Sequence, residues 1–355
     1  MLAYQFRRRL SLVIFSVFLA VTGHSYANGI ITSDTVSSEI KKSNVEKNIS
    51  AALSANAQIQ FQMGLLYEEG IGFPQNYMFA RYWFEKSAEQ NNADALFYLG
   101  SYYMHGSGIE KNNEKGLLLY KKASELGSSR ATNNLALQEE KEGRIEEAIF
   151  LYKKAIDSGS NAAILNLGEI YKDIGEYDKA ERILTQGLHK EDVIKSEALR
   201  KLGYLYSDVN FPGNDRRKSK TYYLESVSLG DKWALNDLGM LYFHDKNYKE
   251  AFNYIKMAAD ENIPGGINNL GALYQHGYGV KQDYAKAISL YEKSAKMGSS
   301  GGYFNLGSLY EHGDGVKQDY NKAIEYYEKA LAAGHYPSQE RINYLKNKQK
   351  NKMEK

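Results

Sequence analysis

From residue 57 onward, apolar residues recur at helical spacing in paired segments, and glycine or asparagine separates one segment from the next. The pattern is plainest in two stretches: Asn269 to Ala287 reads NLGALYQHGYGVKQDYAKA, and Asn305 to Ala323, 36 residues later, reads NLGSLYEHGDGVKQDYNKA. The same Leu-Gly-x-x-Tyr core, with substitutions, recurs upstream at Met63-Gly64, Leu99-Gly100, Leu135-Ala136, Leu167-Gly168, Leu202-Gly203 and Leu238-Gly239, which makes eight copies. Their small residues follow one another at steps of 36, 36, 32, 35, 36, 32 and 36. A fixed period in the thirties predicts an all-α solenoid of about eight helix-turn-helix repeats, spanning residues 57–336. Each repeat has a helix A around the core, such as Ala93 to His105, and a helix B after it, such as Asn113 to Leu126.

The punctuation fits this reading. Gly70, Gly106, Gly277 and Gly313 stand where helix A closes in the left-handed conformation, and Asn76, Asn112, Asp283 and Asp319 stand where a side-chain oxygen caps helix B. Helix B ends at Gly127, Gly159, Gly230, Gly298 and Gly334, with Asn91 and Asn262 in the equivalent positions of two copies. The two 32-residue steps lack four residues of the A-to-B loop; the 35-residue step adds residues around Gly187 to Lys195, where an irregular joint is expected. Gly or Ala in each core, with Ser or Ala in helix B, lets the paired helices approach closely. Leucine at Gly271 would overpack that contact at a cost on the order of 1–3 kcal/mol. Ser338 to Lys346 is expected to form a capping helix with Ile342 and Leu345 on its apolar side, within a C-terminal region 337–355 that ends in a frayed basic tail.

Before the repeats, Arg7, Arg8 and Arg9, the apolar run Leu10 to Val21 and Ser25-Tyr26-Ala27 make residues 1–27 a signal peptide cleaved after Ala27. Twelve apolar residues fall short of the ~20 that a membrane span needs, so no stable membrane insertion is expected after cleavage. Residues 28–56 read as a polar tether. Cleavage takes the net charge from +2 to −1, which gives no reason to expect a nucleic-acid partner. The absence of cysteine excludes disulfides and thiolate chemistry. A periplasmic or secreted bacterial protein stabilised by packing alone is the expectation.

Candidate chemistry is sparse. His105, His244, His276 and His312 recur near the end of helix A, but equivalent positions in stacked repeats stand about 10 Å apart and cannot share one metal ion. The Gly-x-Gly loops follow no strand and carry no Lys-Ser/Thr pair. Ser38-x-x-Lys41 lacks the companion motifs of a serine hydrolase. No cofactor, metal or catalytic residue is assigned, and the oligomeric state stays open.

The run LG-x-[LI]-Y-x-x-G-x-G-V-x-x-D-x-x-x-A, clearest in repeats seven and eight, resembles the Sel-1-like repeat, a relative of the tetratricopeptide repeat; copies three, four and six resemble the latter more. The resemblance implies a right-handed α/α superhelix whose A helices line a concave face, in an adaptor or scaffold that binds proteins. Unlike several secreted relatives, this chain has no paired cysteines. The residue before each core Leu is Asn134, Asn166, Asp237, Asn269 and Asn305 in five copies. Such a column either pairs with the backbone of an extended peptide or bonds neighbouring helices and orders the stack. By the same resemblance, Phe97, Arg200, Asn236, Asn268 and Phe304, two before the core Leu, and Tyr204, two after it, face the concavity as partner-binding residues, with core packing the alternative for Phe97 and Phe304. The expected function is an exported, non-enzymatic scaffold holding a protein or peptide partner. A secreted host-interaction factor is the second reading, and an envelope enzyme of β-lactamase or peptidoglycan type the third.

Overall fold

The computed structural model describes residues 56–71 and 74–353, so the expected signal peptide and all but the last residue of the expected tether lie outside the described residues. Among the described residues there are seventeen α-helices and no strand. The pairs are α1 (Ala57–Glu69) and α2 (Tyr77–Glu89), α3 (Ala93–His105) and α4 (Asn113–Glu125), α5 (Ser129–Lys141) and α6 (Ile145–Asp157), α7 (Asn161–Asp173) and α8 (Tyr177–Gly187). There follow α9 (Asp192–Ser207) and α10 (Arg216–Ser228), α11 (Trp233–His244) and α12 (Tyr248–Asp260), α13 (Pro264–His276) and α14 (Tyr284–Lys296), α15 (Ser300–His312) and α16 (Tyr320–Ala332), and finally α17 (Ser338–Met353). Odd numbers up to α15 are A helices, and even numbers are B helices. The chain divides into two compact units, one up to Ala163 and one from Ile164.

The glycine of each core is explained by an aromatic or aliphatic side chain of helix B lying on it. In the first unit, a Cβ on Gly100 would stand 2.6 Å from Cδ1 of Tyr120, and one on Gly64 would stand 2.4 Å from the ring of Phe84. In the second unit Gly203, Gly271 and Gly307 receive Tyr223, Tyr291 and Tyr327 at 2.7–2.8 Å. The buried hydroxyl is then satisfied one turn further along helix A. Tyr291 donates to Gln275 Oε1 and Tyr327 to Glu311 Oε2, each at 2.7 Å, and in the first unit Tyr152 donates to Glu140 Oε2 at 2.7 Å. The ring is thus buried without orphaning its polar end. Burial raises the pKa of Tyr291 and, together with the Glu311 carboxylate, that of Tyr327.

The serines of helix B are small for packing and also use their hydroxyls. Ser87 donates to the carbonyl of Ala57 at 2.6 Å in the first unit; in the second, Ser226 donates to that of Ser196 at 2.7 Å and Ser294 to that of Pro264 at 2.9 Å. Each bond ties helix B to the N-terminal part of its own helix A.

Helix ends follow the sequence. Gly70, Gly106, Gly277 and Gly313 have φ of 70° to 80°, and Asn76, Asn112, Asp283 and Asp319 each accept from backbone N–H groups of the helix they open. Asn91 and Asn262 adopt φ of 60° and 58°; so does Lys246, at 59°, which takes the left-handed place of a glycine without being one. The joint expected near residues 187–195 is present: α8 is cut to 11 residues and α9 lengthened to 16. Phe211, in the loop after α9, is buried against Tyr177 and Tyr206 at 5.5 and 5.4 Å, a contact the repeat pattern does not announce.

At the C-terminal end, Ile342 and Leu345 are buried beside Tyr327 as expected. The segment expected to fray instead continues α17 as far as Met353. Arg341 of α17 clasps the buried Glu311, Nη2 to Oε1 and Nε to Oε2, the latter at 3.2 Å.

Candidate partner-binding face

In the first unit the A-helix face is filled by packing. Phe97 stacks on Tyr120 at 5.6 Å, and the Arg130 guanidinium covers it at 4.9 Å while pairing with Asp94. Tyr98, in the pre-Leu column, packs on Phe61 and Phe84 at 5.4 and 5.1 Å. Asn134 holds its column half-buried. For Phe97 the structure therefore favours the packing alternative over an open anchor.

The second unit differs. Asn166 stands half-buried in the pre-Leu column, and Leu165 beside it is core. Beginning at α11, five side chains form one polar relay. Asn305 Nδ2 donates to Asn268 Oδ1 at 2.9 Å, and Asn269 Nδ2 donates to Asn236 Oδ1 at 2.9 Å. Longer contacts of 3.5 Å link Asn268 to Asn269 and Asn236 to Asp237 within their helices. Donors point toward Asp237 throughout. Beyond it Arg200 Nη1 stands 3.8 Å from Asp237 Oδ2, while Arg200 Nε donates to Asp231 Oδ2 at 2.9 Å. Burial raises the pKa of the Asp237 carboxyl, and the Arg200 charge and the Asn236 amide partly offset this.

Asn269 and Asn305 therefore bond neighbouring helices, one of the two roles the sequence leaves open, and so join the pre-Leu column to the one before it. In the relay each of Asn236, Asn268 and Asn269 uses one N–H and accepts one bond, which leaves a second N–H and a second lone pair on a half-buried group.

Two glycines keep part of this strip open. A Cβ on Gly265 would meet only Asn236 Nδ2, at 3.8 Å, and one on Gly301 would touch the Asn268 amide at 3.4–3.6 Å, both ordinary contact distances. Both residues are helical, and packing does not require either to be glycine. Their effect is that positions 265 and 301 place no side chain against the amides of Asn236 and Asn268. Sequence reasoning missed them because they lie a full turn before the residues it singled out.

The relay is flanked by aromatic surface. Tyr204 is 55% exposed, with Lys172 Nζ 4.5 Å from its ring centre, and Trp233, one turn before Asn236 and Asp237 on α11, is also 55% exposed. Trp233 escaped the sequence reading for the same positional reason as the glycines. Phe304 is half-buried against Tyr327 at 5.2 Å and His335 at 4.4 Å, so it packs as Phe97 does. Among the described residues, no group of three or more His, Asp or Glu is placed to hold a metal ion, and no helix is long and apolar enough to cross a membrane. The four recurrent histidines are each the last residue of their helix.

The Sel1 repeat profile matches residues 57–92, 93–128, 196–231, 264–299 and 300–335, just over half of the chain. The chain belongs to the Sel1 repeat family. Tetratricopeptide repeat profiles match residues 140–200 and 233–260, where the short-loop copies lie. Among solved structures, a protective antigen present in uropathogenic Escherichia coli strains, with an SLR fold, is 27% identical at a TM-score of 0.59 over 84% of this chain and 66% of its own. A Sel1 repeat protein from Oxalobacter formigenes, 20% identical with a TM-score of 0.55, covers 92% of this chain and 99% of its own, and supports the fold. The HRD3B component of an ERAD-associated E3 ubiquitin-protein ligase from Arabidopsis thaliana is 36% identical over 121 residues, 33% of this chain and 18% of that protein. The HRD3 component from Candida glabrata is 28% identical over 108 residues, 30% of this chain and 13% of that protein. The chain thus spans less than a fifth of the length of these two relatives, and just under two thirds of the antigen. In fold it is a Sel1 repeat scaffold.

Proposed function

We propose that this Sel1 repeat chain is an exported, non-catalytic adaptor that holds an extended segment of a partner protein along α11, α13 and α15. The observation that carries this reading is the pairing of the amide relay with Gly265 and Gly301. Half-buried carboxamides with spare donors and acceptors lie in a row, and the glycines at 265 and 301 put no side chain beside two of them. Such a row meets a peptide backbone irrespective of its sequence, while exposed Trp233 and Tyr204 supply the aromatic anchors that dominate protein interfaces. The names of the HRD3 relatives, each a component of a multi-protein ligase, support an adaptor role. Export to the periplasm or beyond rests on the Arg7 to Ala27 pattern.

A second reading, a secreted factor that contacts a host protein, is favoured by the likeness to the protective antigen of uropathogenic strains. It uses the same surface and differs in where the partner is found. The test is a crosslinking pull-down from intact cells and culture medium, comparing the native chain with Gly265→Leu plus Gly301→Leu. Loss of one specific protein from the variant supports the adaptor and names the partner, and the fraction that yields the partner decides between the readings. The same proteins recovered with both chains would remove the relay as the binding site.

A further inference from the structure

In the first unit the B helices carry an apolar stripe on their exposed side. Tyr82 on α2, Leu118 on α4 and Phe150 on α6 occupy one register position in successive repeats and are 49%, 67% and 67% exposed. On α2 the stripe widens through Met78 and Phe79, also exposed. In the second unit the same register is held by Arg182, Thr221, Asn253, Ser289 and Glu325, all exposed and all polar. The position is therefore a solvent position of the repeat, and only the first three copies make it apolar. An in-line row of large apolar groups of this kind marks an interaction surface rather than scattered exposure.

The charges beside the stripe indicate what covers it. One turn toward the helix N-termini lie Glu114, Glu146 and Glu147; one turn toward the C-termini lie Lys121, Lys122, Lys153 and Lys154. All seven are exposed, and none enters an ion pair among the described residues. Lys115, which would break the acidic edge, is drawn aside, its Nζ 4.3 Å from the centre of the Tyr103 ring. Elsewhere B-helix charges pair within their own helix, as Lys256 does with Asp260 at 2.7 Å and Lys329 with Glu325 at 2.6 Å.

On α4 and α6 the stripe thus has one acidic and one basic edge, and this part of it is complementary to itself. If a second copy is laid face to face about a two-fold axis running along the stripe, Tyr82, Leu118 and Phe150 meet their own counterparts. The lysine edge of each copy then lies over the glutamate edge of the other. We propose that this face of α2, α4 and α6 is the docking site for a second copy of the chain, making an isologous dimer.

Charge reversal tests it with the full-length chain by analytical ultracentrifugation at low and high salt. The native chain is expected to dimerise reversibly. Leu118→Glu plus Phe150→Glu is expected to raise the dimer Kd at least tenfold with an unchanged helical circular dichroism spectrum. Lys121→Glu plus Lys153→Glu sets acid against acid, and Glu114→Lys plus Glu146→Lys sets base against base, so each variant alone is expected to be monomeric. An equimolar mixture of the two restores opposite edges and is expected to dimerise again. A native chain that stays monomeric at 100-fold the working concentration overturns the proposal, as does a dimer that Leu118→Glu plus Phe150→Glu leaves intact, or a mixture that stays monomeric. A monomer whose stripe binds anionic phospholipid vesicles would reassign the face to a lipid surface and overturn it equally.

Discussion

The carboxamide of Asn305 donates to that of Asn268, 37 residues earlier in the chain, at 2.9 Å. With the matching bond from Asn269 to Asn236, it turns two columns of asparagines into one relay, so these amides join repeats to one another as well as presenting polar groups to a ligand. Replacing both Asn268 and Asn305 by Ala is expected to cost less than the sum of the single replacements, with a coupling of about 1 kcal/mol, the net worth of one such bond. Urea denaturation of the four proteins measures it, and zero coupling would mean that the bond contributes nothing in solution.

Gly265 and Gly301 separate binding from folding. A Cβ at either place meets only ordinary contact distances, and removing a helical glycine stabilises by up to about 1 kcal/mol. Leucine at both positions is therefore expected to hold or raise the melting temperature while covering the amides and abolishing capture of the partner. A fall of several degrees with binding intact would show that the glycines serve packing.

Asp237 stands where four other copies have asparagine, and its desolvated carboxyl has a raised pKa. The folded chain therefore holds this proton more tightly than the unfolded chain does. The stabilisation from that proton is complete below the unfolded value of about 3.9 and is lost as pH rises through the folded pKa. Asp237→Asn is expected to be as stable as the native chain or more so at pH 7, and relatively less stable as pH falls through the acid range. Melting temperatures between pH 4 and pH 8 check this; parallel curves for the two proteins would refute it.

Gly271 and Tyr291 make a reciprocal contact. With a Cβ only 2.7 Å from the Tyr291 ring, even Gly271→Ala is expected to destabilise by roughly 1–3 kcal/mol. Tyr291→Phe keeps the ring and loses only the bond to Gln275, at about 1 kcal/mol. If alanine at 271 proves the milder change in chemical denaturation, the close approach is not what the glycine serves.

Arg341 attaches α17 through Glu311, a buried carboxylate that also accepts from Tyr327. Arg341→Ala leaves that charge with less compensation. Because the Arg341 side chain is 39% exposed, the expected loss is about 2 kcal/mol, below the figure for a fully buried pair. Faster amide exchange should appear first in α17. Uniform exchange across the second unit would show that the helix is held by Ile342 and Leu345 alone.

What was legible in the sequence was what each residue decides with near neighbours. The period of the Leu-Gly-x-x-Tyr cores, the glycines at left-handed positions and the Asn and Asp caps lie within a turn or two of the atoms they serve, so spacing alone determined the helix pairs and their ends. The same spacing marked out the asparagine columns but could not choose between bonding a ligand and bonding each other. That choice depends on which amide of one repeat meets which amide of the next, 33 or 37 residues away. The difference between a half-buried Phe97 under Arg130 and an exposed Trp233 was hidden for the same reason. Both are apolar residues on A helices, and only the stacking of neighbouring repeats decides which one is covered. By itself the sequence determined an all-α Sel1 array with its loops and caps. Only the tertiary structure decided that tyrosine hydroxyls close three of the helix pairs, that the amides form a relay beside two glycines, and that the first unit turns an apolar stripe outward, because burial and hydrogen-bond partners are properties of the packed repeats rather than of any one of them.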